Sequence, residues 1–213
     1  MRITRVAAVA TAAVMASALT AAPAAAHGKK PLKTKSLAAV LTADKSGFDR
    51  RGYDYDILTA AVQAVLKAKP GSKVAVLADG KTALTAFLPN DRAFQLLVKD
   101  ITKAKKLPGE KTAFTAVAGL GIDTVESVLL YHVVPGATIT KKTALKSDNA
   151  RLTTAAGSKI KVDVYGPRWH KRIALVDADR SDRNPRVNRG DINKGNKQIA
   201  HGIDRVLRPI DLP

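Results

Sequence analysis

The eight residues Leu129-Leu-Tyr-His-Val-Val-Pro-Gly136 join an apolar helical pattern to a short apolar strand and a Pro-Gly turn. His132 directly follows the predicted helix and begins the predicted strand. A neutral imidazole at this place can donate from one ring nitrogen and accept at the other, which ties the helix end to a neighbouring segment. The chain has no Gly-x-Ser-x-Gly sequence and no His-Glu-x-x-His spacing. We therefore predict a structural histidine rather than a catalytic base or a metal ligand.

An upstream segment, Thr85-Ala-Phe-Leu-Pro-Asn-Asp-Arg-Ala-Phe94, combines a strand pattern with polar residues at its end. We expect Phe87 to point into the core and Pro89 to fix the exit of the strand. Asn90 or Asp91 can then satisfy the free backbone N–H groups at the start of the next helix. This segment is therefore predicted to be a strand-to-helix junction.

A downstream segment, Ile199-Ala-His-Gly-Ile-Asp-Arg-Val-Leu-Arg-Pro209, places a second histidine in an apolar pattern. His201 shares one strand face with Ile199 and Ile203. Because burying an unpartnered neutral polar group costs about 1–3 kcal/mol, we expect His201 to have a hydrogen-bond partner.

In this order the three segments resemble the two end motifs and the central Tyr-His motif of the fasciclin (FAS1) domain family, over roughly residues 36–213. The resemblance implies an α+β fold, the FAS1 fold, with a wedge-like β-sheet core and several α-helices. The helices are expected mainly in the first half and the strands mainly in the second. The motif residues to which it assigns a structural or interaction role are Thr85, Phe87, Pro89, Asn90, Asp91, Phe94, Tyr131, His132, Pro135, His201, Ile203 and Asp204.

The resemblance also implies an extracellular adhesion or interaction module. In some animal members the Tyr-His region is implicated in integrin binding, which would nominate Tyr131 and His132, but the apolar pattern predicts that both are buried. Arg189-Gly190-Asp191 invites the same interpretation. A three-letter match arises readily by chance, and Ile192 suggests that Asp191 already enters the second motif.

Apolar periodicity and turn residues predict the elements. The first predicted element is a helix over Asp56 to Lys69, capped by Asp54 or Asp56. Strands follow at Val74 to Leu77 and at Thr85 to Leu88, and a second helix follows Asn90. After a basic connection from Lys103 to Pro108, a third helix begins near Gly121, with Asp123 and Glu126 as a capping-box-like start. The predicted elements of the second half are strands at Lys159 to Tyr165, Arg172 to Val176 and Ile199 to Leu207, with a long polar loop over Asp177 to Lys197.

The N-terminus has the features of an export signal. Arg2 and Arg5 precede an apolar run from Val6 to Ala22, and Ala24-Ala25-Ala26 offers a cleavage site. We predict a cleaved signal peptide over 1–26, a flexible lead-in over 27–35 and a single FAS1 domain over 36–213. The protein is expected to be secreted and monomeric, with no membrane span after cleavage. This layout resembles the soluble exported fasciclin proteins of high-GC Gram-positive (actinobacterial) bacteria.

The net charge of +18 and the absence of cysteine limit the kinds of site and partner that the protein can have. Without cysteine there are no disulfides and no thiolate nucleophiles, so the core must hold the domain. Positive charge attracts anionic polymers and is screened by salt. The anion-binding candidates lie in one segment with Trp169 and are Arg168, Lys171, Arg172, Arg180, Arg183, Arg186 and Arg189. Asp177, Asp179, Asp182 and Asp191 partly neutralise this segment, so a solvated face is the competing interpretation.

A calcium loop of the EF-hand type is not predicted at Asp177-Ala-Asp-Arg-Ser-Asp182, because positions six and twelve hold Asp182 and Asn188 instead of Gly and Glu. We expect an ion-paired surface loop there. The sequence thus predicts a non-enzymatic module with no cofactor and no metal, whose partner is an extracellular protein or a cell-surface or cell-wall component. The alternative is an electrostatic binder of teichoic acid, acidic polysaccharide or DNA, and a small apolar ligand carrier is a remote third.

Overall fold

The computed structural model describes residues 30–210, so the predicted signal peptide over 1–26 and the first part of the lead-in lie outside the described residues. The chain divides into two compact units, Met1–Pro31 and Leu32–Pro213. The described helices and strands all belong to the second unit. Within the predicted lead-in, Lys33 pairs in parallel with Asn196. Its backbone N–H donates to the carbonyl of Gly195 at 2.8 Å.

A four-stranded sheet brings two of the three sequence motifs side by side. Its strands are β1 (Leu84–Pro89), β2 (Val133–Pro135), β6 (Val187–Ile192) and β7 (Gln198–Ile203), in the order β2-β1-β7-β6. β1 and β7 run parallel, with Phe87 opposite His201, while the other two pairs are antiparallel. Every residue of β1 and β7 is buried. Burial of both faces explains why these strands are mostly apolar, and why the polar side chains of Thr85, Gln198 and His201 have hydrogen-bond partners within the domain.

A three-stranded antiparallel sheet covers one face of the four-stranded sheet. It consists of β3 (Arg151–Thr153), β4 (Lys159–Tyr165) and β5 (Arg172–Val176). The alternation predicted for β4 is present, since Ile160 and Val162 are buried and face Phe87 in one apolar cluster. This cluster also contains Tyr131 and Ile203. The two sheets therefore share a core to which both end motifs contribute.

Helices cover the opposite face. They are α1 (Leu37–Leu41), α2 (Asp56–Ala68), α3 (Asp91–Thr102), α4 (Glu110–Ala118) and α5 (Ile122–Tyr131). Ala144 of the short helix α6 (Lys141–Ala144) packs instead in the cluster between the two sheets. The larger apolar cluster packs α1 to α5 against Leu84, Ala86 and Leu88 of β1. Each large aliphatic side chain buried there contributes about 1.5–3 kcal/mol of transfer free energy. Among residues 30–210 no single helix is long and apolar enough to cross a membrane, and only the bent pair α4 and α5 meets that length and composition together.

The predicted strand at Val74 to Leu77 is wrong. Residues Lys73–Ala78 form a 3₁₀ helix, and the Ser72 hydroxyl accepts a hydrogen bond from the Val74 N–H at 3.1 Å. Val74 and Leu77 stand three residues apart, so in a 3₁₀ helix they share one face, and both are buried. The same spacing in a strand would place them on opposite faces.

One helix lies in a segment for which no element is predicted, one strand crosses a predicted loop, and one strand is shorter than predicted. α4 occupies residues between the basic connection and Gly121, with Ala113 and Val117 buried on one face. β6 crosses the predicted polar loop, where Val187-Asn-Arg-Gly-Asp-Ile192 lacks strand alternation. It is an edge strand with register shifts against β7, so its pattern is weak. The last strand ends at Ile203 rather than Leu207.

Candidate functional site

His132 lies at the end of α5 and is 3% exposed. Its Nδ1–H donates to the carbonyl of Val128 at 2.7 Å, and its Nε2 accepts from the Leu207 N–H at 2.9 Å. The second bond requires Nε2 to be unprotonated, which fixes the neutral tautomer. Burial lowers the pKa of His132 to about 4, although the Val128 bond acts in the opposite direction. Both ring nitrogens are occupied by backbone groups, so the imidazole is placed to hold the fold together.

His201 lies on β7, on the other side of β1 from His132, and is also held by two hydrogen bonds to the backbone. The ring is 1% exposed, Nε2–H donates to the carbonyl of Ile139 at 2.8 Å, and Nδ1 accepts from the Asp191 N–H at 3.2 Å. Burial again lowers the pKa of the imidazole. The two histidines therefore carry opposite tautomers, and each makes one donated and one accepted bond to the backbone.

The remaining residues of the β1 and Tyr-His motifs are also mostly internal. The Tyr131 hydroxyl donates to the Lys159 carbonyl at 3.3 Å, and burial followed by the charge of Asp177 raises the pKa of Tyr131 to about 12. The Thr85 hydroxyl donates to the Ala137 carbonyl at 2.7 Å and accepts from the Ile139 N–H at 2.8 Å. Phe87 and Phe94 are buried, while Pro135 is exposed at the end of β2.

Asn90 and Asp91 divide the capping role between two helices. The Asn90 side-chain oxygen accepts from the Ala93 N–H at 2.9 Å and caps α3, as predicted. Asp91 instead accepts from the N–H groups of Asp56 and Ile57, at 3.1 and 2.8 Å, and so caps α2. The predicted cap of α2 by Asp54 or Asp56 is therefore wrong, since the cap position is Tyr55 with no side-chain bond.

The predicted capping box at the start of α5 is also wrong. The cap position is Gly121, which has no side-chain bond. Asp123 and Glu126 instead bind the Lys69 ammonium group beyond the end of α2, with 2.5 Å between Lys69 Nζ and Asp123 Oδ1. These charges tie two helices together, a pairing that local sequence spacing does not reveal.

Comparison with known protein families finds that the fasciclin domain model matches residues 57–209, a range that contains all three sequence motifs. This chain belongs to the fasciclin domain family. One similar solved structure is a FAS1 domain pair from the insect cell adhesion molecule fasciclin I, with a TM-score of 0.55 and 17% sequence identity. The match covers 83% of this chain and 51% of that chain, so this chain spans about half of that pair. No curated protein matches the chain.

In this fasciclin domain the acidic loop after β5 is ion-paired, as predicted, and Asp179 within it is buried. Arg208 lies 3.2 Å from Asp179 and 3.1 Å from Asp182, and the side chains of Arg208 and Asp179 are 6% and 1% exposed. Asp177 accepts from the Arg208 N–H at 2.8 Å, and burial raises the pKa of Asp177 to about 6. These bonds thus hold the segment that follows β7 against the acidic loop. Asp204 adds to this attachment by accepting from the Arg186 N–H at 2.7 Å.

Arg189-Gly190-Asp191 lies within β6, not in a projecting loop. The Asp191 carboxylate accepts from the Lys141 N–H at 2.6 Å and lies 3.4 Å from the Lys194 ammonium group. A Cβ atom on Gly190 would come within 2.6 Å of the Lys141 side chain. An integrin-type contact needs a free carboxylate, and this one is bound within the domain.

The basic candidates are spread over two regions. Arg168 and Lys171 are exposed on the connection between β4 and β5, beside Trp169, which is 88% exposed, and Arg172 is exposed at the start of β5. The others lie on later segments, where Arg180, Arg183 and Arg189 are exposed and Arg186 packs 5.4 Å from the centre of the Tyr165 ring. Arg183 and Arg186 line an open pocket of about 440 Å³ that also contains Asp163 and Asp182. Positive charge therefore dominates at the β4–β5 connection and is mixed with carboxylates elsewhere.

The apolar space next to His201 is small. A cavity of about 90 Å³ lies between the two sheets and is lined by apolar side chains and Thr85, Phe87 and His201. An engineered protein cavity of about 150 Å³ holds one benzene molecule. A carotenoid or lipid would therefore enter this cavity only if the two sheets separated.

Sequence reasoning missed one group of polar residues. The first residues of α2, α3 and α4 are Asp56, Asp91 and Glu110, and all three carboxylates are buried near one another. Oxygens of Asp54, Asp91 and Glu110 lie within 4.8 Å of one another, and so do oxygens of Asp49, Asp54 and Asp56. These residues are far apart in sequence. The available signal was a carboxylate at the start of each helix, which also suits an ordinary helix terminus.

Proposed function

We propose that this chain is a secreted, non-enzymatic adhesion or interaction module of the fasciclin type, with a cleaved signal at 1–26, a lead-in at 27–35 and the domain at 36–213. The proposal rests on the observation that polar side chains of the motifs form hydrogen bonds with the backbone of the same domain. His132 and His201 each use both ring nitrogens in this way. A general base needs a free nitrogen within reach of a substrate proton. Function is therefore expected to come from surface contact, in keeping with the family.

The best contact surface is the β4–β5 connection, defined as residues 166–171. Trp169 at its tip is 88% exposed and stands among Arg168, His170 and Lys171. Tryptophan and arginine are the residues most enriched at the energetic centres of protein interfaces. The turn is held locally, because the His170 N–H donates to the Pro167 carbonyl at 2.8 Å. An ordered tip loses little conformational entropy when a partner binds.

The test is a pull-down of the mature protein with isolated cell-wall fractions and intact cells. Trp169→Ala is expected to reduce retention about tenfold or more, since truncation of an interface centre costs roughly 2 kcal/mol or more. Tyr53→Ala, which removes another exposed aromatic ring, is the matched control and should bind like the parent protein. Equal retention of all three proteins would contradict the assignment of this surface.

The alternative is an electrostatic binder of anionic polymers, favoured by the basic residues beside Trp169. Retention on heparin should then fall steeply with salt, because each neutralised anionic group releases counterions. The triple variant R168A/K171A/R172A should elute at lower salt than K105A/K106A/K111A, which removes the same charge from another exposed surface. Elution of both variants at the same salt concentration would show a general charge effect and remove this alternative.

A further inference from the structure

Three helix starts converge on one acidic pocket, defined as Asp49, Asp54, Asp56, Asp91 and Glu110. The contacts that bring them together run through the backbone. Asp91 caps α2, and its own N–H donates to the Asp54 carbonyl at 3.1 Å. Glu110, at the start of α4, accepts from the Asp49 N–H at 2.6 Å. The pocket therefore joins α2, α3, α4 and the loop that precedes α2.

Three oxygens in the acidic pocket have no hydrogen-bond partner. They are Oδ1 of Asp54, Oδ2 of Asp56 and Oε1 of Glu110, and each atom is buried. Asp56 and Glu110 are 8% and 2% exposed. A buried acceptor without a donor loses its hydration without compensation, and for an ionised carboxylate that loss is large. Three such atoms in one cluster indicate that the pocket requires a positively charged group to neutralise it.

The charges of the surrounding residues do not balance the acidic pocket. Five ionised carboxylates would carry a charge of −5, whereas three helix N-termini offer about +0.5 each. Arg51 lies 3.7 Å from Asp49, but its side chain is 80% exposed and its attraction is screened. Bound protons or a bound cation must supply the difference.

We propose that the acidic pocket binds a divalent cation of the size of Ca²⁺, with the half-buried Asp54 and the buried Asp91 and Glu110 as its ligands. Carboxylate oxygens are the ligands that hard cations prefer, and Ca²⁺ holds them at about 2.3–2.6 Å. Two oxygens bound to one such ion are at most about 5 Å apart. The oxygens of these residues lie within 4.8 Å of one another and so fall within that span. Extracellular calcium modules bind with dissociation constants of about 10⁻⁴–10⁻³ M, a suitable range for a protein outside the cell.

The site would connect metal binding to the fold. Asp91 belongs to the β1 motif and caps α2, while Glu110 begins α4. A cation between them holds three helix starts together. Because it binds only the folded protein, its binding free energy adds to the stability of the helical half of the domain. The sequence alone predicts no metal, because the ligands come from three separate segments and follow no local spacing.

The test is thermal unfolding of the full chain at pH 7.5 in EDTA and in CaCl₂. We expect 10 mM CaCl₂ to raise the Tm by about 4–8 °C, given a dissociation constant of about 0.1–1 mM. Glu110→Gln should abolish this increase. It should also melt no lower than the parent protein in EDTA, because it removes one unbalanced charge and places an amide near the unpartnered oxygens. Asp163→Asn, a carboxylate on β4, is the control and should keep the full increase.

Two further measurements keep the proposal falsifiable if Glu110→Gln does not fold. Asp54→Asn changes a half-buried ligand and should also abolish the increase. Terbium luminescence, sensitised by Tyr53 and Tyr55, should appear on binding and be displaced by Ca²⁺ but poorly by Mg²⁺, which prefers shorter bonds. No change in Tm with CaCl₂ and no terbium signal would overturn the proposal. Protons shared between the carboxylates would then be what neutralises the pocket. An equal increase in the parent and in both ligand variants would overturn it as well.

Discussion

The Nε2 atom of His132 accepts a hydrogen bond at 2.9 Å from the backbone N–H of Leu207, 75 residues further along the chain. The opposite ring nitrogen donates to Val128, one turn earlier in α5. The imidazole thus bridges the end of a helix and the segment that follows the last strand. A serine or lysine cannot make this bridge, because it needs a rigid side chain with one donor and one acceptor on opposite edges.

His132→Ala is expected to lower the free energy of unfolding by about 3–5 kcal/mol. It leaves the Leu207 N–H and the Val128 carbonyl without partners and opens a cavity in the core. Urea unfolding followed by circular dichroism measures the loss. His170→Ala, at an exposed position, should change stability by less than about 0.5 kcal/mol. An unchanged Tm for His132→Ala would show that the bridge is not structural.

The contribution of His132 to stability should depend on pH. Its pKa is 6.5 in the unfolded chain and about 4 in the folded one, so the unfolded state binds a proton more readily. The contribution is complete above pH 6.5 and decreases as the pH falls to 4, by about 3 kcal/mol in total. The observable is the difference in unfolding free energy between the parent protein and His132→Gln.

That difference should become smaller from pH 7 to pH 4. Asp177, whose pKa burial raises, changes stability in the opposite direction with pH, but it is present in both proteins and cancels. A difference that stays constant across this range would mean that His132 is not buried in its neutral form.

Arg208→Met should destabilise the domain by about 3–5 kcal/mol, because it leaves the buried Asp179 carboxylate without its cation. The double variant R208M/D179N should recover part of that loss, since both charges are then gone. Chemical denaturation of the three proteins measures this. If the double variant is less stable than Arg208→Met, then Asp179 has a role that does not depend on Arg208.

Gly166→Ala should weaken partner binding while leaving the core intact. Gly166 has a φ of +97°, and a Cβ atom there would come within 2.7 Å of the His170 carbonyl. The turn that presents Trp169 must therefore rearrange. Gly71→Ala, where no atom lies within 4 Å of the added Cβ, is the control. Cell-wall retention should fall for Gly166→Ala alone, and an unchanged retention would separate the turn from the contact surface.

The sequence predicts the family, the helix-first order and the strands of the motifs well, because each is encoded locally. Apolar spacing alone identifies α2, and alternation alone identifies β4. Burial of His132 and His201 also follows from the apolar residues around them. These features require no knowledge of which segments meet.

Long-range partners are what the sequence does not predict. Asp91 caps a helix 34 residues earlier in the chain, and Lys69 binds carboxylates 54 and 57 residues later. The acidic pocket has the same origin, since its ligands come from three segments. The 3₁₀ helix at Lys73–Ala78 is predicted as a strand because valine is enriched in strands, a preference that packing can override. β6 was missed because an edge strand does not need alternating apolar residues.

The parallel pairing of β1 with β7 has a consequence for the order of folding. Leu84 pairs with Gln198, so the middle of the sheet cannot close until Gln198 has left the ribosome, long after Leu84. Contacts so distant in sequence slow folding, because a large loop must be closed before they form. A chain whose sheet stays open until β7 has emerged suits the proposed export. It would cross the membrane through a translocation channel as an extended polypeptide and fold only after crossing.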